Sequence, residues 1–139
     1  MYNCTVNMKI VIDTSVVVAV LINEKHKERL IELTKGADLV APSSLHWEVG
    51  NAFSALLKKK RITLEQAYRA LAAYAGIAIR FYEVSLKEAL SLCMKVNLYA
   101  YDAYFIACAL RLKSPLLSLD KDLLAAAAKS GVPTIKVKP

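Results

Sequence analysis

The chain has 139 residues, of which 56% are hydrophobic, and a mean hydropathy of +0.35. This length suits one domain spanning residues 1–139, and the apolar content excludes an intrinsically disordered chain. The longest early apolar run, residues 16–22, is far shorter than the roughly 20 residues that cross a bilayer, and no signal-peptide pattern precedes it. We therefore expect a cytoplasmic protein with no membrane partner.

The formal net charge of +7 favours a polyanionic partner, because cations that neutralise phosphates release bound counterions. The cysteines, Cys4, Cys93 and Cys108, lack the CxxC or CxxH spacing of metal sites. A zinc site and a disulfide framework are therefore disfavoured. Cys93 and Cys108 lie in apolar helical patterns, which predicts that both are small core residues.

Short apolar segments alternate with helical patterns along the chain. Strands are predicted at residues 9–12, 39–41, 77–84, 116–119 and 134–137. Helices are predicted at about 26–35, 43–60, 63–76, 85–97, 101–113 and 123–130, and residues 15–22 are a further apolar stretch. Met8 directly precedes the first strand, so residues 1–7 are interpreted as a dispensable tail. The alternation predicts a three-layer α/β/α sandwich around a mostly parallel sheet of about five strands.

Acidic residues occur where such a sheet places functional sites. Asp13 directly follows the first predicted strand, and Asp120 directly follows the fourth. Glu48 lies early in the helix after the second strand, and Asp102 begins the helix that leads into the fourth. Because ligands bind beyond the carboxyl ends of parallel strands, we expect these four acids to meet at one sheet edge.

Each acid also has a structural interpretation when it is taken alone. Asp102 or Asp120 could be a helix N-cap, and Glu48 could favour its helix dipole. Four carboxylates gathered at one edge repel one another, however, and a bound divalent cation removes that repulsion. Ligands that are all oxygen suit Mg²⁺ or Mn²⁺ better than zinc.

Four segments of the chain resemble, in order, the motifs of the PIN domain family, and most closely its VapC-type toxin nucleases. They are Ile-Val-Ile-Asp-Thr-Ser at residues 10–15, Glu-Val-Gly-Asn-Ala at 48–52, Tyr-Asp-Ala-Tyr-Phe-Ile-Ala at 101–107, and Leu-Ser-Leu-Asp-Lys-Asp-Leu at 117–123. The resemblance covers essentially the whole chain from Lys9. It implies a PIN-like fold.

The resemblance also implies a function. Members of this kind are Mg²⁺- or Mn²⁺-dependent ribonucleases that leave 5′-phosphate and 3′-hydroxyl ends. It implies that Asp13, Glu48, Asp102 and Asp120 are both the metal ligands and the catalytic residues. It further implies a homodimer, and a separate antitoxin protein that covers the acidic pocket.

Several neighbouring residues are assigned supporting roles. By the resemblance, the hydroxyl of Ser15 supports the acids, and Ser118 keeps a hydroxyl where threonine is commoner. Asn51 lies three residues after Glu48 on the same helical face, within reach of the acids or of a phosphate. Asp122 is interpreted as a solvated residue at a helix start. The two histidines, His26 and His46, fall outside the motifs and are predicted to be surface or packing residues.

The densest basic segment is Lys58, Lys59, Lys60 and Arg61, which we call the basic run. It is interpreted either as an RNA backbone contact or as cations that favour a helix C-terminus.

Three other functions are alternatives to a toxin ribonuclease. A HAD-like phosphatase needs a second aspartate two residues after Asp13, where Ser15 stands. A catalytically silent PIN module usually lacks one of the acids. A PIN nuclease of RNA processing or quality control remains the alternative to a toxin.

Overall fold

The structure, a computed structural model, describes residues 7–138. Cys4 and nearly all of the predicted tail lie outside this range. In chain order the elements are β1 Lys9–Ile12, α1 Thr14–Leu21, α2 Lys27–Thr34, β2 Asp38–Pro42, α3 Ser44–Lys58, α4 Leu64–Ala75, β3 Ile79–Tyr82, α5 Leu86–Val96, α6 Ala100–Leu112, β4 Leu116–Leu117, α7 Lys121–Lys129 and β5 Thr134–Ile135.

The strands form one parallel sheet in the order β3-β2-β1-β4-β5. The central strand β1 is a continuous apolar run whose Ile10, Val11 and Ile12 are buried, as expected for a strand covered on both faces. Two groups of helices flank the sheet. Helix α6 packs against β1, β2, β4 and α5, whereas α1 contacts α2, α3 and α4. The predicted α/β architecture is confirmed.

Local sequence signals explain several helix ends. Thr63 and Gln66 form a capping box in which both hydrogen bonds are present, at 3.1 and 2.9 Å. Ser85 accepts from the backbone N–H of Glu88, and α5 ends at Asn97 in the left-handed conformation.

Other elements differ from the sequence prediction. The residues that follow Asp13 form helix α1 although valines, which have low helix propensity, dominate it. Strand β4 stops at Leu117, two residues earlier than predicted, because β1 ends at Ile12 and offers no further partner. Strand β3 is likewise shorter, at Ile79–Tyr82. The N-cap of α3 is Ser43, but its hydroxyl donates to Glu83 Oε1 at 2.7 Å instead of capping the helix.

Two further predictions concern the core and the bilayer. Cys108 is buried, which raises the pKa of its thiol to about 11, and Cys93 is half-buried against the core. Within residues 7–138, no helix is long and apolar enough to cross a membrane.

Candidate active site

Asp13 lies at the carboxyl end of β1 and is the N-cap of α1. Its side chain is deeply buried, with 5% of its surface exposed. Oδ1 accepts from the hydroxyl of Ser15 at 2.7 Å and from the backbone N–H of Val16 at 3.4 Å, and Oδ2 accepts from the hydroxyl of Ser118 at 2.8 Å. Both carboxylate oxygens are therefore held in place from two segments of the chain.

The hydroxyls of Ser15 and Ser118 join the ends of the two central strands. Ser15 Oγ accepts from the backbone N–H of Leu119 at 3.0 Å, while Ser118 Oγ accepts from the backbone N–H of Asp120 at 2.9 Å. Each serine thus donates to Asp13 and accepts from the loop after β4. Of the three positions that the sequence assigned to support the acids, Ser15 and Ser118 lie directly against Asp13.

Glu48 occupies the second turn of α3 and is partly buried. Its Oε2 is fully buried and has no hydrogen-bond partner among the described residues, and the same holds for Ser44 Oγ and Thr14 Oγ1. An unpaired carboxylate oxygen in a buried position is costly unless a proton or a cation meets it. This side chain is therefore poised to bind a positively charged group.

Asp102 and Asp120 differ in their structural roles. Helix α6 begins after Tyr99, and Asp102 lies in its first turn without capping it, so the N-cap interpretation of Asp102 is wrong. Asp120 does cap α7, because its Oδ1 accepts from the backbone N–H groups of Asp122 at 2.9 Å and Leu123 at 3.2 Å. Asp122 itself is exposed in the first turn of α7, as predicted.

The carboxyl pKa values indicate that the four acids form one electrostatic group. Burial is the largest cause that raises the pKa of Glu48, the nearby hydroxyl of Ser44 lowers it, and the charges of Asp102 and Asp13 raise it, which together bring this pKa to about 7. Burial also raises the pKa of Asp102, with added contributions from Asp120 and Asp122. Asp13 has a raised pKa because burial outweighs its hydrogen bonds, and Asp120 adds to this shift. The charges of the four predicted acids therefore affect one another, and their joint role as one metal site stays a prediction.

The acids suit a hard cation by their chemistry, since every donor is a carboxylate oxygen and one oxygen of Glu48 is buried without a partner. Within the part of the chain that the structure describes, no three carboxylates, imidazoles or thiols already have the spacing of a metal site. Joint coordination of one ion would therefore require some of these side chains to turn towards each other.

Two predicted contacts lie away from the acids. Asn51 is exposed, and its side chain makes no hydrogen bond within the described residues, so it does not bind the acids here. The basic run lies at the opposite end of α3 from the site, about 15 Å along the helix axis from Glu48. It does not join the acid group.

Two features near the site escaped the sequence reasoning. A cavity of about 610 Å³ opens beside Ser118 and is lined by Lys121, Lys136 and Lys138. The sequence signal that could have revealed this cavity was the alternation of Lys136 and Lys138 just after β5. Trp47, directly before Glu48, is largely exposed. The sequence signal for Trp47 was an aromatic residue directly before a motif acid.

The family model for the PIN domain matches residues 10–129. The chain belongs to the PIN domain family. PIN domains are generally nucleases, and this assignment confirms the resemblance seen in the four motifs. No curated protein sequence is similar enough to the chain to count as a match.

Solved structures share the fold of this PIN domain. PAE2754 of Pyrobaculum aerophilum is 21% identical with a TM-score of 0.70, covering 93% of this chain and 92% of that chain. VapC20 of Mycobacterium tuberculosis, described as a toxin that cleaves the sarcin-ricin loop, is 16% identical with a TM-score of 0.64, covering 94% and 99%. VapBC2 of Rickettsia felis, bound to a DNA fragment from its promoter, is 11% identical with a TM-score of 0.66, covering 92% and 98%. At these identities the likeness shows the fold alone.

Proposed function

We propose that this PIN domain is a metal-dependent endoribonuclease that hydrolyses RNA phosphodiesters to 5′-phosphate and 3′-hydroxyl ends. The observation that carries the proposal is the electrostatic group of Asp13, Glu48, Asp102 and Asp120, in which one buried oxygen of Glu48 has no hydrogen-bond partner within residues 7–138. Membership of a family whose members are generally nucleases and typically use divalent metal ions supports it.

The four acids would hold Mg²⁺ or Mn²⁺ and are the residues on which catalysis depends. When bound, the metal supplies an activated water and stabilises charge on the leaving oxygen. Ser15 and Ser118 act on this centre through Asp13, because their hydroxyls fix the direction of both of its carboxylate oxygens. The Nδ1 atom of His46 faces the hydroxyl of Tyr74 at 3.2 Å, so His46 is assigned a packing role and not a catalytic one.

Cations that line a cavity beside Ser118 support RNA as the substrate. Lys121, Lys136 and Lys138 line the cavity that opens beside Ser118, and we propose that they contact the RNA backbone there. The basic run at the far end of α3 remains a second predicted contact, more distant from the reacting phosphate. The net charge of +7 supports both.

The decisive experiment compares cleavage by the purified wild-type protein, an Asp102→Asn variant and an Asp122→Asn variant. We expect cleavage of single-stranded RNA with Mn²⁺ that EDTA abolishes and Asp102→Asn removes. Asp122→Asn is the matched control, because it changes a nearby exposed acid outside the ligand set and should retain activity. Cleavage that survives both EDTA and Asp102→Asn would contradict the site. Tight RNA binding without cleavage at any metal concentration would favour a silent binding module.

We further propose that the nuclease is the toxin of a toxin–antitoxin pair, with an antitoxin chain as its protein partner. The shared fold of the toxin VapC20 and of VapBC2 supports this by analogy. Induced expression should arrest growth, co-expression of a small neighbouring reading frame should relieve the arrest, and Asp102→Asn should cause none. Normal growth despite cleavage in vitro would favour a role in RNA processing or quality control.

A homodimer is proposed for the assembly. Helix α5 supports it by presenting Leu86, Leu90 and Met94 at successive turns, each more than half exposed. Light scattering should give twice the monomer mass for the wild type, and Leu90→Glu should shift it towards the monomer. A wild type that is monomeric at every tested concentration would contradict the homodimer.

A further inference from the structure

Trp47 is the single tryptophan of the chain and stands directly before Glu48 in α3. It is 77% exposed, whereas Leu45, Val49 and Phe53 on the same helix are buried in the core. The indole therefore contributes little to the folding core. A large aromatic surface left in water next to a functional acid indicates a binding surface.

The helical register places Trp47 next to the residues that flank Glu48 along α3. Trp47 is three residues after Ser44 and four before Asn51, and side chains at these spacings are neighbours on a helix surface. Ser44 is in turn one turn before Glu48. Trp47 thus borders the strip of α3 that carries the acid.

The indole ring contacts one other aromatic ring, the imidazole of His46, which in turn packs against Tyr74 and Phe81. It meets His46 edge-to-face, with ring centroids 4.8 Å apart and an interplanar angle of 78°. The imidazole of His46 stacks on the ring of Tyr74, with centroids 5.8 Å apart, and meets the ring of Phe81 edge-to-face, with centroids 6.4 Å apart. The Nδ1 atom of His46 also lies 3.2 Å from the hydroxyl of Tyr74. This support restricts the ring while most of its surface stays exposed.

We infer that Trp47 is a stacking platform for one base of a single-stranded RNA whose phosphate lies at the acids. The inference rests on the proposed function. Single-stranded RNA is recognised through unstacked bases that lie on aromatic side chains, and such stacking tolerates any base. A platform bordering the acid strip would fix the strand relative to the scissile bond, which makes Trp47 a positioning residue. A protein segment at this ring is the competing outcome, since tryptophan is also frequent at protein interfaces.

The tryptophan itself reports on the contact. In the Asp102→Asn background, which prevents cleavage, an unlabelled octaribonucleotide is titrated while Trp47 emission is recorded. A 5′-fluorescein-labelled copy of the same RNA gives the binding curve by anisotropy. We expect the emission to change and to saturate over the same concentration range as the anisotropy.

Substitutions separate stacking from simple apolar contact. Trp47→Leu should weaken RNA binding roughly 10-fold, whereas Trp47→Phe, which keeps a ring, should weaken it much less. In the active protein, Trp47→Leu should raise KM more than it lowers kcat. Tyr68→Leu is the matched control, since Tyr68 is an exposed aromatic on α4, and it should leave binding unchanged. Thermal melts verify that each variant is folded.

The outcomes distinguish this inference from the proposed function. RNA that binds by anisotropy without changing Trp47 emission overturns the platform alone, and so does a Tyr68→Leu loss equal to that of Trp47→Leu. An emission change that only a co-expressed partner protein produces also overturns it. If the octaribonucleotide neither binds nor is cleaved, the proposed function fails as well.

Discussion

The two ends of helix α3 carry opposite charges in different surroundings. Near its start, Glu48 is partly buried with one unpartnered oxygen, whereas the basic run at its end is exposed. The helix dipole favours Lys58 in the last turn, whereas Glu48 lies in the second turn, beyond the first turn on which the dipole acts. Only the acid end is electrostatically unfavourable in the absence of a partner, since burial and nearby acids raise the pKa of Glu48 to about 7. The functional end of α3 is therefore distinguished by the burial of the Glu48 carboxylate, more than by the position of that residue in the helix.

The largest expected effect tests the acid end directly. Glu48→Gln keeps the size of the side chain but removes its charge, and we expect the cleavage rate to fall by roughly 100-fold or more, as when an electrostatic stabiliser is lost. Initial rates with Mn²⁺ measure this loss. Replacing Lys58 with Gln is the control at the opposite end and should change the rate little. Equal losses of cleavage rate from Glu48→Gln and from the Lys58 substitution would contradict the functional difference between the two ends of α3.

A second variant tests how Asp13 is positioned. Ser118 is 1% exposed, and Ser118→Ala leaves both Asp13 Oδ2 and the Asp120 N–H without this partner. We expect Mn²⁺ affinity to fall roughly 10- to 100-fold, and the free energy of unfolding to fall by about 1–3 kcal/mol. Ser118→Thr keeps the hydroxyl and should lose much less of either. Calorimetric titration and urea denaturation give the two quantities. A Thr variant as impaired as the Ala variant would contradict the positioning role.

The pH dependence of stability tests the raised pKa at the acid end. Between pH 4.5 and about 7, the folded protein keeps a proton on Glu48 that the unfolded chain releases. The free energy of unfolding of the metal-free protein therefore falls as pH rises through this window. Urea denaturation in EDTA at about pH 5 and about pH 8 should show this loss.

Two controls accompany that measurement. Glu48→Gln should reduce the loss because the titrating group is gone, and Mn²⁺ should restore stability at the higher pH because it binds the charged form. A metal-free wild type that is more stable at the higher pH would contradict the assigned shift.

The smallest expected effect concerns the basic end. Neutralising Lys58, Lys59, Lys60 and Arg61 together should weaken RNA binding modestly and flatten its salt dependence, by up to about 0.7 in slope for each lost phosphate contact. Neutralising Lys121, Lys136 and Lys138 should have a larger effect, because these lysines line the cavity beside Ser118. Binding curves at several salt concentrations compare the two sets. An unchanged slope in the first set would leave the basic run with only its helix-capping role.

Sequence reasoning predicted the parts of the molecule that local chemistry determines. The capping box at Thr63 and the aspartate directly after β1 are visible as short patterns and lie where the patterns predict, whereas Asp120 lies three residues after the end of β4. The positions of Asp13 and Asp120 beyond the carboxyl ends of the paired strands β1 and β4 followed from the topology of parallel strands.

Other features depend on contacts between distant segments, which a single sequence does not reveal. Helix α1 forms against its valine-rich propensity because Val16 and Val17 are buried in the core. The end of β4 depends on where its partner strand stops. The lysines around the cavity come from α7 and from the segment after β5, so their grouping appears only in the folded chain.

The hydrogen bond between Asp13 and Ser118 joins residues that are 105 positions apart. During synthesis, Asp13 therefore emerges from the ribosome long before Ser118, whose hydroxyl orients its carboxylate. A growing chain that lacks the loop after β4 also lacks Asp120 and the closure of the pocket around Asp13. On the proposed function, a growing chain has no complete acid site until the segment after β4 has been synthesised, so products that stop before it lack nuclease activity.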